Sequence, residues 1–406
     1  MQIITGGVLA PNGYKAGSIA AGIKRVKLDM TVMLSETPAV VAGAFTTNLV
    51  KAAPVKWDED IVNSGNLVRA LVVNSGNANA CTGAQGVKDV LATASHAAKA
   101  LSIDAKEVLV ASTGVIGVPL PMEKILAGVD SCITNLRSGE DAAEEAAKAI
   151  CTTDTFNKEV AVEIFVDGET IRIGGMAKGS GMIHPNMATM LSFITTDAKV
   201  EKDYLQNLLG ATVVDSYNMI SVDGDTSTND TVLAFANGSS KAPPVTAGST
   251  SEAAFIEAFQ YVHTELAKMI VQDGEGAGKF IEVNVKGAQS KEDARIIARS
   301  VISSSLVKTA FFGADANWGR MLCAMGYSGA TFNPDVVSIT YASDAGLIVV
   351  MQEGAPLDFD EDLAKKILQE KAISVLATVG TGEGEATAWG CDLSYEYVRI
   401  NGDYRS

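Results

Sequence analysis

The sequence predicts an α/β protein with large sheets, because two features recur along its whole length. Short runs of β-branched residues alternate with segments of helical periodicity, and 38 glycines among 406 residues stand in small clusters between them. Glycine adopts the positive-φ backbone of tight turns without steric cost, so such clusters mark the ends of elements. With 47% hydrophobic residues, a chain of this length can bury at least one large core.

The strand candidates share a short length and an enrichment in β-branched residues. They are residues 70–73, 108–110, 283–285 and 347–351. The clearest hairpin joins residues 161–166 to residues 169–173 through Asp167 and Gly168. An Asp-Gly pair favours a type I′ turn, because both positions tolerate positive φ.

Helical periodicity marks longer segments, in which apolar residues recur every three to four positions. They are residues 85–101, 202–217, 252–269, 291–307 and 362–370. Ser290 is placed to cap the fourth of these helices. The acidic stretch 140–145 predicts a further helix start, because carboxylates are favourable near the positive end of the helix dipole.

The charge balance limits the classes of partner. A net charge of −16 does not attract a nucleic-acid backbone or an anionic membrane, so neither is expected as a partner. No apolar run approaches the roughly 18 to 20 residues of a membrane span, and residues 1–7 lack the basic and apolar regions of a signal peptide. We therefore expect a cytoplasmic protein. The cysteines are scattered without a Cys-x-x-Cys pair, which predicts free, buried thiols and no metal site.

Three motifs match known binding patterns only in part. Residues 273–279, 380–385 and 223–228 are similar to a phosphate loop, a dinucleotide fingerprint and a calcium loop, but each lacks a glycine that its pattern requires. We therefore expect no nucleotide cofactor and no metal ion there. The three histidines lie far apart in the sequence, which argues against a Ser-His-Asp or zinc enzyme. An enzyme of this composition must find its general base elsewhere.

The most unusual segment, residues 174–193, is rich in glycine and contains an Ala-Thr step. A threonine hydroxyl is a weak nucleophile. If the chain is cut before Thr189, however, the new α-amino group, with a reference pKa of about 7.7–8.0, becomes an adjacent general base. Such a site needs no histidine. The alternative is an ordinary strand that follows a glycine-rich loop.

Within this segment, residues 178–183 and 186–191 resemble the self-cleavage site of the ornithine acetyltransferase (glutamate N-acetyltransferase) family of arginine biosynthesis. Further motifs resemble that family in the same order along nearly the whole chain. They are residues 74–80, 112–117, 151–155, 273–276, 315–320, 388–393 and 397–406. So many colinear matches make the resemblance specific.

The resemblance implies that the precursor cuts itself between Ala188 and Thr189, into an α chain (residues 1–188) and a β chain (residues 189–406) that stay associated. Thr189 then takes an acetyl group from N2-acetyl-L-ornithine and passes it to L-glutamate, a ping-pong transfer through an acetyl-threonine ester. Two αβ units together would form a heterotetramer. No cofactor is implied, although a bifunctional form of the enzyme would also use acetyl-CoA as a substrate.

The functional residues of the family map onto matching positions of this chain. Thr113 and Gly114 would supply the oxyanion hole for the tetrahedral intermediates. The substrate pocket would be lined by Thr152, Lys178, Thr189, Glu275, Asn401 and Ser406. The carboxylate of Glu275 suits the ornithine amine, and the ammonium, amide and hydroxyl donors suit carboxylate groups.

By the same resemblance, residues 1–280 form a stacked-sheet αββα sandwich and residues 281–406 form a smaller C-terminal α/β domain. Alternatives of another class stay open at this point. A self-cleaving amidohydrolase or aminopeptidase would use the same nucleophile and pass the acyl group to water. A non-catalytic binding protein would keep its chain intact.

Overall fold

The computed structural model describes residues 1–184 and 190–403, so the predicted cut site and Ser406 lie outside the described residues. Sheets form the interior and helices cover them. The strands are β1 (Gln2–Ile4), β2 (Tyr14–Ile19), β3 (Met30–Phe45), β4 (Val68–Asn77), β5 (Val108–Val115), β6 (Lys158–Val166), β7 (Glu169–Lys178), β8 (Leu191–Thr196), β9 (Ile220–Ser221), β10 (Thr231–Ala236), β11 (Phe280–Ala288), β12 (Ser338–Ser343), β13 (Gly346–Gln352), β14 (Ala355–Pro356), β15 (Ala372–Thr378) and β16 (Gly384–Cys391). The helices are α1 (Ala53–Ser64), α2 (Gly83–Leu101), α3 (Met122–Thr134), α4 (Glu140–Ile150), α5 (Lys202–Val214), α6 (Glu252–Gln272), α7 (Lys291–Ser303), α8 (Ser305–Phe312), α9 (Trp318–Gly326), α10 (Glu361–Gln369) and α11 (Tyr395–Asp403).

Within residues 1–184 and 190–403, the first sheet has nine strands, and its long strand β3 divides it into two layers. The strand order is β1-β6-β7-β8-β10-β3-β4-β5, with β2 also paired to β3. Residues 30–34 of β3 pair with β4, whereas residues 40–45 pair with β10. The pairing register shifts between these two stretches, so one continuous strand serves both layers.

The two layers stack because their strands are apolar on both faces. Successive side chains of a strand point to opposite faces. In β4, Leu71 and Val73 join the core that is shared with β8 and β10 of the other layer. Their neighbours Ala70 and Val72 join the core that is shared with α2 and α3. On the far side, α5 covers β3 and α6 covers β6 and β7. Helices therefore flank two stacked sheet layers, and the predicted αββα sandwich is confirmed.

In the part of the chain that the structure describes, the second sheet has seven strands in the order β14-β13-β12-β15-β11-β16-β9. Helix α7 packs on β11 and β16, and Ser290 caps it as predicted, because its hydroxyl accepts a hydrogen bond from the Asp293 amide at 3.1 Å. Strand β9 comes from the part of the chain before residue 280 and pairs with β16. The domain boundary at residue 280 stays a prediction.

Local sequence signals predicted the hairpin correctly and one helix incorrectly. Strands β6 and β7 pair up to Val166 and Glu169, and Asp167 and Gly168 have φ values of 49° and 88°, as a type I′ turn requires. The predicted helix at residues 291–307 is wrong at Ser304, which separates α7 from α8. Ser304 is extended, with ψ 113°, and its hydroxyl caps the second helix.

The cysteines are free, but the prediction that they are buried is wrong for two of them. Cys81 and Cys323 are exposed, whereas Cys132, Cys151 and Cys391 are buried. Cys81 lies in a turn with φ 58° ahead of α2, where its side chain faces solvent. Among the helices that the structure describes, none is both long and apolar enough to span a membrane.

His263 is expected to make the folded protein less stable at acidic pH. The side chain is fully buried in α6 against Phe259 and Tyr217, and no described residue hydrogen-bonds either ring nitrogen. Burial lowers its pKa to about 3, against about 6.5 when unfolded. The unfolded chain therefore binds the extra proton below pH 6.5, and the free energy of unfolding falls by up to about 1.4 kcal/mol per pH unit.

Replacing the ring with an apolar one should remove this dependence. We expect His263→Phe to lose about 2 kcal/mol less than the wild type between pH 6.5 and pH 5, measured by urea unfolding. His96→Gln is the control, because His96 is partly exposed and contacts Asp130 at 2.8 Å. Equal pH dependence in His263→Phe and the wild type would contradict the prediction.

Candidate active site

One cavity of about 160 Å³ gathers the predicted site residues that the structure describes. They are Thr113, Gly114, Thr152, Lys178, Glu275 and Asn401. They come from β5, β7, α11 and two loops that are far apart in the sequence. Only the folded chain brings them together, so the cavity is the candidate active site.

The first described residues after the predicted cut lie beside this cavity. The carbonyl of Met190 accepts a hydrogen bond from the Thr231 amide at 2.9 Å. Leu191 then opens β8 and pairs with Lys178, which lines the cavity. The described residues therefore bring the segment that is covalently joined to Thr189 alongside a cavity residue.

Strands β4 and β5 approach each other so closely at the cavity that only glycine fits at position 114. Gly114 has φ +130°, and a Cβ atom there would lie 2.3 Å from the carbonyl carbon of Gly76. The register of the two strands shifts between Gly76 and Asn77. Such irregularities redirect side chains and amides at the end of a pair of strands.

The hydroxyl of Thr113 meets the ammonium of Lys178 inside the cavity wall. Lys178 Nζ donates to Thr113 Oγ1 at 3.4 Å, and the two residues are only 8% and 9% exposed. Because Oγ1 is the acceptor in this contact, the hydrogen of the hydroxyl stays available for another acceptor. An oxyanion that forms in the cavity is such an acceptor.

Glu275 contributes a negative charge to the lining of the cavity, opposite in sign to that of Lys178. Its Oε2 accepts from Asn401 Nδ2 at 2.8 Å, and its amide donates to the Ser180 carbonyl at 2.8 Å. A Cβ atom at Gly181 would lie 2.4 Å from the Glu275 carboxylate carbon, so glycine there leaves room for it. With Lys178 and Glu275, the cavity offers both charges that a zwitterionic ligand needs.

Sequence reasoning missed a buried group of charges that contacts the cavity segments. Lys158 is fully buried, and its Nζ lies 2.8 Å from Asp154 Oδ1 and 2.5 Å from Asp273 Oδ2. Asp154 in turn accepts from the amides of Thr152 and Gly179, each at 2.8 Å. The only sequence signal was an aspartate and a lysine four residues apart, a spacing that usually indicates a surface ion pair.

Two polar side chains from the segment ahead of β10 also hold the site. Asp223 accepts from the amides of Met182 and Ile183 at 2.6 and 2.8 Å, just before the undescribed segment. Asn229 Nδ2 donates to the Ser112 carbonyl at 2.8 Å and so ties β5 to the segment ahead of β10. Within residues 1–184 and 190–403, no three His, Cys, Asp or Glu side chains converge as a metal site would require.

Comparisons with known proteins identify the family of the chain. A family model described as the ArgJ family matches residues 15–406. The chain belongs to the ArgJ family. It is 50% identical over 406 residues to the arginine biosynthesis bifunctional protein ArgJ of Caldanaerobacter subterraneus subsp. tengcongensis, with 100% of both chains covered. It is 51% identical over 409 residues to the ArgJ protein of Symbiobacterium thermophilum, again with 100% of both chains covered.

A solved ArgJ structure matches part of the chain. The crystal structure of the arginine biosynthesis bifunctional protein ArgJ from Bacillus halodurans is 44% identical, with a TM-score of 0.51, and the match covers 53% of this chain and 100% of that one. The family that the sequence motifs indicated is therefore confirmed, and so is its class, an acetyltransferase of arginine biosynthesis. The roles of individual residues in this ArgJ-family chain stay predictions.

Proposed function

We propose that this ArgJ-family enzyme cuts itself between Ala188 and Thr189 and then transfers acetyl from N2-acetyl-L-ornithine to L-glutamate, with Thr189 as the nucleophile. The observation that carries the proposal is the single cavity that gathers Thr113, Gly114, Lys178 and Glu275 beside the start of β8. These groups match the needs of acyl transfer: a donor pair for an oxyanion, and opposite charges for an amino-acid substrate.

The cut itself is an acyl shift. The Thr189 hydroxyl attacks the Ala188 carbonyl carbon, the carbonyl oxygen becomes an oxyanion, and collapse of the intermediate breaks the C–N bond and leaves an ester. Breaking this bond already frees the α-amine of Thr189. Water then hydrolyses the ester, which separates the two chains and frees the Thr189 hydroxyl. That amine is the base which the transfer reaction needs, since the reference pKa of an α-amine is about 7.7–8.0.

Acetyl transfer repeats the same chemistry with a different acyl group. The Thr189 hydroxyl attacks the acetyl carbonyl of N2-acetyl-L-ornithine and L-ornithine leaves as the free amine. The amine of L-glutamate then attacks the acetyl-threonine ester, giving N-acetyl-L-glutamate. Each tetrahedral intermediate bears an oxyanion, which the Thr113 hydroxyl and the Gly114 amide would stabilise.

Product analysis tests this proposal against the hydrolase alternative. A transferase should release ornithine from N2-acetyl-L-ornithine at a rate that depends on glutamate, with one N-acetylglutamate formed per ornithine. Mass spectrometry of enzyme incubated without glutamate should find one acetyl group on the fragment that begins with Thr189. Ornithine release that glutamate does not accelerate, with acetate as the product, would establish the hydrolase instead.

A second activity is supported by the names of the relatives, which describe bifunctional proteins. In this form the enzyme would also accept acetyl-CoA as the acetyl donor for glutamate. Incubation of the cut enzyme with acetyl-CoA and glutamate should then release free thiol. If no thiol forms above the rate with heat-inactivated enzyme, the chain has only the ornithine-linked activity.

Glu275→Gln is expected to weaken binding of N2-acetyl-L-ornithine. The variant keeps the shape of the side chain and can still accept from Asn401, but it loses the charge that would pair with the δ-ammonium of the substrate. We expect KM for N2-acetyl-L-ornithine to rise roughly 10- to 100-fold with a smaller change in kcat. Glu159→Gln is the control, because Glu159 lines a separate cavity. An unchanged KM in Glu275→Gln would remove Glu275 from the proposed pocket.

The proposal extends to assembly and location. Both chains of one precursor would stay together, two αβ units would form a heterotetramer, and the enzyme would act in the cytoplasm without nucleic-acid or membrane partners. The sheet order supports the first part, because β8 and β10 of the β chain lie between β7 and β3 of the α chain. The native mass of the cut enzyme in solution tests whether two αβ units form a heterotetramer.

A further inference from the structure

Four charged side chains form a buried cluster next to the cavity, which we call the Lys158 cluster: Asp154, Lys158, Lys178 and Asp273. Lys158 joins the two aspartates, with Nζ distances of 2.8 Å and 2.5 Å. All four residues are at most 8% exposed. Two ammonium groups balance two carboxylates, and such pairing is the condition under which charges can be buried.

Asp154 holds two segments of the cavity wall at once. One carboxylate oxygen accepts from the Thr152 amide at 2.8 Å, and the other accepts from the Gly179 amide at 2.8 Å. Thr152 itself lines the cavity, and so does Lys178, which precedes Gly179. A shift of Asp154 would therefore move both of these cavity residues.

Asp273 holds a third segment. Both of its carboxylate oxygens lie 3.1 Å from the Thr155 amide, and one also accepts from the Thr155 hydroxyl. Glu275 follows two residues later and is tied to the Ser180 carbonyl. Asp273 thus fixes the start of the loop that carries the carboxylate of the cavity.

The pairing between Asp154 and Lys158 stabilises the charge of both groups. Burial opposes the ionised form of Asp154, but Lys178 and Lys158 hold the pKa of its carboxyl below the usual range. Burial also opposes the charged form of Lys158, but Asp154 and Asp273 raise its pKa. Asp154 and Lys158 therefore stay ionised at physiological pH, and the ion pair that they form stays intact.

We infer that Lys158 is a positioning residue for acetyl transfer: through Asp154 and Asp273 it fixes the relative placement of the segments that carry Thr152, Lys178 and Glu275. The expected effect on acetyl transfer rests on the proposed function. The expected effect on how rigidly the three segments are held does not, so hydrogen exchange and activity test the two separately.

Lys158→Met is the principal test, since methionine fills similar volume without the ammonium. Hydrogen exchange of peptides that contain Thr152 and Gly179 should become at least about tenfold faster than in the wild type, because their acceptor Asp154 is no longer held. The kcat/KM for acetyl transfer should fall about 10- to 100-fold, as expected when reacting groups are misplaced by a fraction of an ångström to 1 Å.

The pH profile distinguishes positioning from a general loss of stability. Without the ammonium, Asp154 and Asp273 repel each other across the place of the Lys158 Nζ, although Lys178 still faces Asp154. Uptake of a proton by one of the two aspartates as the pH falls relieves this repulsion. We therefore expect the kcat/KM of Lys158→Met, relative to that of the wild type, to rise as the pH falls from about 8 to about 6. A ratio that does not depend on pH would overturn this part of the inference.

Two further variants complete the test. Lys308→Met is the matched control, because Lys308 is also a buried lysine but donates to the Cys391 carbonyl in the second sheet. It should leave exchange at Thr152 and Gly179 unchanged. Asp273→Asn serves if Lys158→Met does not fold, and it should loosen the segment around Glu275 while Thr152 and Gly179, which bind Asp154, stay protected.

The results test the positioning role of Lys158 separately from the proposed acetyl transfer. Unchanged exchange at Thr152 and Gly179 in Lys158→Met overturns the inference whatever the activity, and so does equal loosening in Lys308→Met. If only Asp273→Asn folds, unchanged exchange around Glu275 overturns it. Loosening of the expected segments in an enzyme whose wild type transfers no acetyl group supports the positioning role and contradicts the proposed function.

Discussion

Thr189→Ala is expected to leave the chain uncut and without acetyl-transfer activity. Alanine has no hydroxyl to attack the carbonyl of residue 188, and without the cut there is no α-amine to act as base. The denatured wild type should give two fragments, residues 1–188 and residues 189–406, and the variant one. Transfer activity should fall about 10⁴-fold or more, as when a nucleophile is removed from an enzyme of this kind.

Thr189→Ser gives the matched control. Serine keeps the hydroxyl and, after cutting, the adjacent amine, so this variant should still yield two fragments and retain measurable transfer. N-terminal sequencing of the second fragment locates the cut directly. A wild type that stays uncut after prolonged incubation, or a Thr189→Ala chain that is cut at the same place, would refute the mechanism.

Thr113→Val is expected to slow both the cut and the transfer. Valine has nearly the shape of threonine but cannot donate, so the oxyanion loses one of its two donors. The loss of one such donor commonly lowers kcat about 10²- to 10³-fold. Because the same oxyanion forms in both reactions, the rate of fragment appearance and kcat should fall together, while KM for the substrates changes little.

The control for this variant is another buried threonine, which lies away from the cavity. Thr93 in α2 is 2% exposed and donates to the Asp89 carbonyl at 2.8 Å, on the outer side of the sandwich. Thr93→Val should cost some stability and leave both rates as they are. Normal cutting and kcat in Thr113→Val would show that the donor is another group.

Sequence reasoning succeeded where one short segment decides the structure. The turn at Asp167 and Gly168 needs only two residues that tolerate positive φ, and the αL geometry is found at both. The helix at residues 85–101 follows from its own apolar periodicity. The prediction of one helix over residues 291–307 failed at Ser304. In an apolar pattern, a serine that caps a new helix cannot be told from a serine inside a helix.

The residues that line the cavity could be predicted from the sequence, but the buried charges that hold them in place could not. Resemblance supplied Thr113, Lys178 and Glu275, and the structure brings these residues to one cavity. The contact between Lys158 and Asp273 joins residues 115 positions apart. No local pattern encodes such a pair, because its existence depends on how β6 and α6 are packed together. Buried charges become recognisable only once their burial is known.

The order of strands in the first sheet has a consequence for when the protein must fold relative to the cut. In the precursor, β7, β8, β10 and β3 belong to one chain, so finding their order is a search within a single polymer. Once the proposed cut is made, β8 and β10 belong to one polypeptide and lie between two strands of the other. Assembly from the unfolded state then requires an encounter of two molecules and depends on their concentration. The mature enzyme would thus keep an architecture that its separate chains cannot readily rebuild, so folding has to precede the cut.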